Sequence, residues 1–180
     1  MKIVFYSYKS FEKLKKDLAN LKCDIFIFCF NKQTPLFLSY KYYKILNVVR
    51  LYSKQKNIDF VLNFYIKKDS RNLVNGLYIS GGNVVKIYGE VFSKKCLLIK
   101  KNNKFVQVMF YYDLYAKRSV FNQNDIDLFI GIDNFAIDNI EFLNKKFLEK
   151  IIIVDGEQNA FIKKNILNID KKMCKYYIQN

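Results

Sequence analysis

Histidine is absent from the 180 residues of this chain, and proline occurs once, at Pro35. Without histidine, the Ser-His and Cys-His mechanisms and the usual general base near pH 7 are excluded. Any catalysis would therefore use carboxylates, lysines or tyrosines. No Pro-rich linker, internal repeat or low-complexity tract divides the chain, so we expect one domain over residues 1–180.

Long apolar runs are also missing, although 51% of the residues are hydrophobic. Lys, Asn or Asp interrupts every hydrophobic stretch before it reaches the roughly 20 residues of a membrane helix. The segment Lys2-Ile-Val-Phe-Tyr6 near the N-terminus is typical of a strand and lacks the features of a signal peptide. We therefore expect a cytoplasmic protein without a membrane span.

Cysteine pairs with metal-site spacing are not found. The four cysteines are widely spaced, and the acidic residues of one region lack the spacing of a cation-binding loop. These two groups are Cys23, Cys29, Cys96 and Cys174, and Asp125, Asp127, Asp133 and Asp138. We expect reduced core thiols, no metal and no cofactor.

Acidic residues are few, with 16 Asp and Glu against 31 Lys and Arg, and the net charge is +15. Such a charge favours contact with nucleic acid or an anionic surface. Only Arg50, Arg71 and Arg118 are arginines, and lysine lacks the rigid fork that binds phosphate bidentately. The charge therefore indicates non-specific attraction to nucleic acid at low salt rather than specific recognition.

Hydrophobic periodicity predicts alternating strands and helices, then a meander of short strands, then strand and helix again. The predicted strands are 2–6, 24–30, 58–66, 73–80, 84–88, 96–100, 105–111, 125–132 and 151–154, and the predicted helices are 11–21, 39–56 and 139–149. Gly81-Gly82-Asn83 and Asn102-Asn103 have the composition of hairpin turns. We expect one or two weak strands or a helical turn in the remaining tail.

Four motifs occur in a fixed order along these elements. A strand begins at Asp24 and ends at Phe30, an Asn75-Gly76 turn follows, a hairpin ends in Tyr88-Gly89-Glu90, and the strand 105–111 ends in Tyr111-Tyr112-Asp113. In this order they resemble the nitrilase (carbon-nitrogen hydrolase) superfamily over about residues 1–158, with 159–180 as a C-terminal tail. The resemblance implies an α/β fold, half of an αββα sandwich, with a central mixed or antiparallel sheet and helices on one face.

The resemblance also indicates where catalytic residues would stand. The family uses a Glu base, a Lys that stabilises the oxyanion and a Cys nucleophile, and the matching positions here are Phe30, Glu90 and Tyr111. A phenyl ring cannot accept a proton, and a carboxylate repels a developing oxyanion. A phenol with a pKa of about 10 stays protonated at neutral pH. No catalytic residue is therefore predicted.

Three functional hypotheses follow from the sequence. The first is a catalytically inactive nitrilase-like domain that binds as a scaffold, regulatory subunit or oligomer partner, in a homo-oligomer or a hetero-oligomer. The second is a carbon-nitrogen hydrolase or acyl transferase with a rebuilt site, for instance around Cys29. The third is a lysine-rich module for nucleic acid or anionic surfaces. Possible pocket residues are Cys29, Tyr88, Tyr112 and Asp113.

Overall fold

The computed structural model describes residues 1–29, 35, 38–68, 70–89, 96–110, 125–133, 151–155, 159–162, 165–168 and 173–177. Two helices lie in this part of the chain, α1 (Phe11–Ala19) and α2 (Tyr40–Lys56). The strands are β1 (Lys2–Ser7), β2 (Ile25–Cys29), β3 (Asp59–Lys68), β4 (Arg71–Ser80), β5 (Asn83–Gly89), β6 (Cys96–Lys101), β7 (Lys104–Phe110), β8 (Leu128–Asp133), β9 (Ile151–Asp155), β10 (Asn159–Ile162), β11 (Asn165–Asn168) and β12 (Met173–Tyr177).

The strands form two mixed sheets of six strands. Sheet A has the order β12-β1-β2-β3-β4-β5, and sheet B has the order β11-β10-β9-β8-β7-β6. β1, β2 and β3 are parallel to one another, as are β7, β8 and β9, while the hairpin strands are antiparallel. Helix α2 connects the parallel pair β2 and β3, as parallel pairing requires.

Serine caps begin both helices. Ser10 Oγ accepts a hydrogen bond from the backbone N–H of Lys13 at 3.2 Å, and Ser39 Oγ accepts one from Tyr42 at 3.2 Å. The Ser10 side chain thereby satisfies a donor of the first turn, whereas the Tyr42 N–H is shared between Ser39 Oγ and the Ser39 carbonyl oxygen at 2.9 Å. Helix α2 ends at Asn57, whose φ of 53° is left-handed, a common way to stop a helix.

Two tight turns confirm the hairpins that the sequence predicts. Gly81 and Gly82, between β4 and β5, have φ of 58° and 83°. Asn102 and Asn103, between β6 and β7, have φ of 50° and 58°. Two successive residues with positive φ suit the right-handed twist of the flanking strands, and Gly and Asn adopt that conformation most readily.

Two hydrophobic clusters hold the layers together. The inner cluster lies between the sheets and takes side chains from both, including Ile3 and Phe5 from β1 and Val106 and Val108 from β7. The outer cluster packs α1 and α2 on the other face of sheet A, which presents Val4 among others. Alternate residues of β1 thus enter different clusters, as the period of two along a strand requires.

The α/β fold class expected from the sequence is confirmed, and both described helices cover one face of sheet A. The structure differs in having two sheets where the sequence predicted one central sheet. The meander divides, since β3, β4 and β5 join sheet A whereas β6 and β7 join sheet B. Residues 159–180 contribute β10 and β11 to sheet B and β12 to sheet A. The predicted helix 139–149 lies outside the described residues.

Neither α1 nor α2, the helices in the described part of the chain, combines the length and apolar character needed to cross a bilayer.

Candidate functional site

The three positions matched to catalytic residues each follow the last residue of a strand. Phe30 follows β2, Glu90 follows β5 and Tyr111 follows β7. These three residues, together with Tyr112 and Asp113, lie outside the described residues. The structure does describe β2, β5 and β7, the strands that precede these residues. Their directions show at which end of the molecule each strand finishes.

Within sheet A, β2 and β5 point the same way. β2 is parallel to β3, β3 is antiparallel to β4, and β4 is antiparallel to β5. The carboxyl ends of β2, β3 and β5 therefore lie at the same end of the sheet. We call this the carboxyl end of the sandwich, and β2 and β5, the strands that precede residues 30 and 90 in the chain, finish there.

Contacts between the sheets give the direction of β7. Lys101 and Asn102 stand at the turn where β6 passes into β7. Lys101 Nζ lies 3.2 Å from Asp59 Oδ1, and Asn102 Nδ2 donates to Asp24 Oδ1 at 2.9 Å. Asp24 and Asp59 stand at the amino ends of β2 and β3, so β7 starts at the end of the sandwich opposite the carboxyl end. Position 111 accordingly follows a strand that finishes at the same end as β2 and β5.

Asn63 holds the last residues of β2 against β3. The main-chain pairing of these strands runs from Ile25↔Asp59 to Ile27↔Val61. Two residues further along, Asn63 Nδ2 donates to the carbonyl oxygen of Phe28. The Asn63 side chain is 2% exposed, and within the described residues its Oδ1 has no hydrogen-bond partner. The Asn63 side-chain amide therefore extends the contact between β2 and β3 beyond their main-chain pairing, as far as Phe28.

Tyr88 is the predicted pocket residue whose side chain the structure describes. It is fully buried in the inner cluster, one residue before the end of β5. A Cβ on Gly76, its partner in β4, would lie 2.6 Å from the Tyr88 hydroxyl oxygen and closer still to the ring. Glycine at this position thus makes room for the phenol ring. Burial raises the pKa of Tyr88 well above 10.0, so the phenol stays neutral near neutral pH.

Cys29 is the last residue of β2, where it pairs with Ser7 of β1. Its backbone therefore lies at the carboxyl end of the sandwich, and its side chain is outside what the structure describes. Among the described thiols, Cys23 is partly buried and Cys96 is buried, and neither takes part in a disulfide. Within the same part of the chain, no three Cys, Asp or Glu side chains cluster in a way that would hold a metal ion.

A cavity of about 580 Å³ opens at the other end of the sandwich. It is lined by Lys2, Leu21, Lys22, Cys23, Asp24, Lys56 and Ile58, which lie near the amino ends of β1, β2 and β3. Burial raises the pKa of the Cys23 thiol to about 12, which leaves it protonated and a poor nucleophile at neutral pH. The cavity is therefore separate from the positions that the sequence indicates for catalysis.

The sequence predicted which strands lead to the candidate site but missed Asn63 and the close fit of Gly76 with Tyr88. One signal for Asn63 was present, because it is a single polar residue within the apolar run 60–64 of a buried strand. Gly76 of β4 stands opposite Tyr88 of β5. Which residues stand opposite each other depends on the register of the two strands, and the hydrophobic pattern of a single strand does not give it.

Comparison with known proteins gives the class of fold. No protein-family model matches the chain. An uncharacterized protein of Methanocaldococcus jannaschii is 30% identical over an alignment of 117 residues, which covers 61% of this chain and 62% of that protein. The chain thus spans less than two thirds of the length of this relative.

Solved structures are similar over nearly all of the chain. An amidase from Nesterenkonia sp. AN1 has a TM-score of 0.70 and 9% identity, covering 100% of this chain and 93% of the amidase chain. A CN-hydrolase superfamily protein from Xanthomonas campestris has a TM-score of 0.63 and 11% identity, covering 99% and 90%. A glutamine-dependent NAD⁺ synthetase from Acinetobacter baumannii has a TM-score of 0.62 and 13% identity, covering 97% of this chain and 44% of the synthetase chain.

At these identities the likeness shows the fold alone. The chain has the α/β fold of carbon-nitrogen hydrolase superfamily proteins, so the fold class that the sequence predicted is confirmed, with two sheets where one central sheet was expected.

Proposed function

We propose that this chain is a catalytically inactive domain of nitrilase fold that acts by binding another protein, as a scaffold, regulatory subunit or oligomer partner. The observation that carries the proposal is the joint presence of Phe30, Glu90 and Tyr111 at the positions after β2, β5 and β7. In support of the proposal, β2, β5 and β7, the strands that precede these residues in the chain, finish at one end of the sandwich.

The chemistry of the three side chains supports the absence of hydrolysis. Phe30 cannot take a proton from a nucleophile, and Glu90 adds negative charge where an oxyanion would develop. Tyr111 would need to lose a phenol proton before it could attack a carbonyl carbon. The neighbouring Tyr88 offers no general base either, since burial raises the pKa of its phenol.

The experiment measures ammonia release from simple amides by the purified full-length chain. Butyramide is a suitable substrate because a variant of the Nesterenkonia amidase was solved in complex with it, and that amidase is the positive control. We expect no ammonia above the level given by Glu90→Ala. Turnover by the unaltered chain that disappears in Glu90→Ala would overturn the proposal.

One observation favours a second candidate, a hydrolase with a rebuilt site. Cys29 ends β2 at the carboxyl end of the sandwich, next to the position of the family's base. Acrylamide tests this candidate, because it is found added to the active-site cysteine of a variant of the Nesterenkonia amidase. Selective labelling of Cys29, detected by mass spectrometry, would favour the hydrolase. Slow and equal labelling of all four thiols would favour the inactive domain.

A further inference from the structure

Exposed large apolar side chains are concentrated on one side of the molecule. In the described residues six of them stand on α2 or β5, and the five other than Leu51 of α2 have exposed fractions between 40% and 73%. They are Tyr40 and Tyr43 of α2 and Val84, Val85 and Ile87 of β5, and we call them together the α2–β5 surface. Side chains of this size on a protein surface cost free energy in water unless something covers them.

Two hydrogen bonds fix the position of β5 beside α2. Arg50 Nε donates to the carbonyl oxygen of Gly82 at 2.9 Å, and the Gly82 N–H donates to Ser53 Oγ at 3.1 Å. The β4–β5 turn therefore lies against the second half of α2. Since α2 connects two parallel strands, it runs opposite to β3 and hence opposite to β5.

This anchor places Tyr43 level with the middle of β5. Tyr43 precedes Arg50 by two helical turns, so both lie on the same side of α2, about 10 Å apart along the axis. Val85 lies three residues after Gly82, which is also about 10 Å along a strand. Both distances run toward the carboxyl end of the sandwich. Val84 and Ile87 pair with Ile79 and Leu77, whose side chains lie in the outer cluster with the helices, so Val84 and Ile87 lie on the same side of sheet A as Tyr43. Val85 stands between them at the register shift of β5, and Tyr40 adjoins Tyr43 one turn earlier along α2.

The charge around this surface is of one sign. Helix α2 carries five basic residues and no Asp or Glu, and β5 adds one lysine and no acid. The basic residues are Lys41, Lys44, Arg50, Lys54, Lys56 and Lys86. Lys56 donates to the carbonyl oxygens of Leu18 and Ala19 and Lys86 to that of Cys96, so Lys41, Lys44 and Lys54 are the lysines that a partner would meet. A partner that fits must bring apolar side chains together with carboxylates.

A second copy of the chain does not meet this requirement well. Pairing of two α2–β5 surfaces would oppose like charges. In the described residues, several carboxylates are already engaged: Asp59 is buried with Lys101, Asp24 accepts two hydrogen bonds, and Asp127 bonds to Phe105 N–H and pairs with Lys104. These side chains offer little acidic surface to another copy.

Membranes and nucleic acids fit less well than a protein. Among the described strands, β5 pairs with β4 alone and forms an edge of sheet A. The outer main-chain groups of an edge strand would lose their hydrogen bonds with water in hydrocarbon. Nucleic acid would gain little from Val84, Val85 and Ile87, because aliphatic side chains do not stack on bases as aromatic rings do. Arg50 is engaged with Gly82.

We propose that the α2–β5 surface binds a different protein, through a segment with apolar residues flanked by carboxylates. This inference rests on the proposed binding function and names the chemistry of the partner. The apolar residues would cover Tyr43, Val85 and Ile87, and the carboxylates would face the lysines of α2. Binding should weaken as salt rises, because exposed ion pairs contribute to it.

The test uses a fluorescein-labelled peptide with Val and Ile at its centre and Glu on both flanks, and a matched peptide with Lys in place of Glu. Fluorescence anisotropy with the full-length chain should show binding of the Glu peptide alone. Val85→Asp and Ile87→Asp should each weaken it at least about fivefold. Leu51→Asp is the matched control, because Leu51 is 52% exposed on α2 and lies about 100° around the helix axis from Arg50, which marks the side of α2 that faces β5. Circular dichroism checks that each variant is folded.

Three results would overturn the proposal. They are equal binding of both peptides, binding of neither, or a loss in Leu51→Asp as large as in Val85→Asp. Phosphatidylserine vesicles and a single-stranded RNA are tested in parallel, and binding of either that is lost in Val85→Asp would assign the surface to that ligand instead. Ammonia release from butyramide is a separate readout, so activity would overturn the inactive-domain proposal without affecting this result.

Discussion

The ammonium group of Lys101 lies 3.2 Å from the carboxylate of Asp59, and this ion pair joins sheet B to sheet A. Both side chains are largely buried, with exposed fractions of 14% and 3%. Tyr78 and Ser80 also donate to Asp59, at 3.0 Å and 2.8 Å. The pair lies at the end of the sandwich opposite the carboxyl end. It helps to set the direction of β7 in sheet B relative to β2 and β5 in sheet A.

Replacing Lys101 by Met should destabilise the fold. A buried carboxylate that loses its cation typically costs about 3 kcal/mol or more, and the donors Tyr78 and Ser80 would reduce this to about 2–3 kcal/mol for Asp59. Urea denaturation followed by circular dichroism measures the free energy of unfolding. Lys104→Met is the control, because the Lys104–Asp127 pair is longer, at 3.4 Å, and more exposed. We expect the control to lose less than about 1 kcal/mol. Equal losses in the two variants would contradict the role given to Lys101.

Gly76→Ala should also be destabilising, through contact with Tyr88. The new methyl group would lie 2.6 Å from the Tyr88 hydroxyl oxygen, and the buried ring has little room to move. Overpacking of this kind costs about 1–3 kcal/mol. In a Tyr88→Leu background the same substitution should cost clearly less, and a double-mutant cycle in urea measures the difference. An unchanged cost in that background would show that the ring is not what Gly76 accommodates.

Local patterns were sufficient to predict much of sheet A and both hairpins. The strand at β1, the helix at α2 and the turns at Gly81-Gly82 and Asn102-Asn103 depend on periodicity and on residues that adopt positive φ. The order of the elements also led to the correct fold class. These features are determined by neighbours in sequence, which is why a single sequence reveals them.

The division of the meander between two sheets could not be predicted in this way. It depends on contacts between distant residues, such as Lys101 with Asp59 and Asn102 with Asp24. The same holds for the α2–β5 surface, which exists because Arg50 and Ser53 bind a turn about 30 residues away. The candidate site was predicted as three strand ends, and whether Phe30, Glu90 and Tyr111 meet there stays a prediction.

Removing the cap of α2 should lower stability modestly. Ser39 Oγ accepts the Tyr42 N–H at 3.2 Å, and Ser39→Ala removes this acceptor and leaves the Tyr42 N–H with the Ser39 carbonyl oxygen at 2.9 Å alone. We expect a loss of about 1 kcal/mol in the free energy of unfolding. Ser39→Asp is the rescue variant, because a carboxylate accepts the same hydrogen bond and interacts favourably with the helix N-terminus. If Ala and Asp behave alike, the hydrogen bond at Ser39 contributes nothing to α2.

The thiol of Cys23 should make stability fall with pH in the alkaline range. Burial is the largest cause that raises its pKa from 9.0 to about 12; Asp24 also raises it, while Lys2, Lys56 and Lys101 lower it. Between pH 9.0 and about pH 12 the unfolded chain loses the Cys23 thiol proton, whereas the folded chain keeps it. The unfolded state then binds fewer protons, so the free energy of unfolding decreases by up to about 1.4 kcal/mol per pH unit. Well below pH 9 the thiol is protonated in both states and has no effect on the slope.

The Cys23→Ala variant isolates this contribution from the lysines and tyrosines that titrate in the same range. Urea denaturation of both proteins, in steps from neutral pH upward, should give parallel free energies up to about pH 9 and a steeper fall for the unaltered chain beyond it. Iodoacetamide supplies a second readout, since Cys23 should react far more slowly in the folded chain than in urea at about pH 9. Parallel profiles throughout, or fast alkylation of the folded protein, would mean that the Cys23 thiolate is accessible to water.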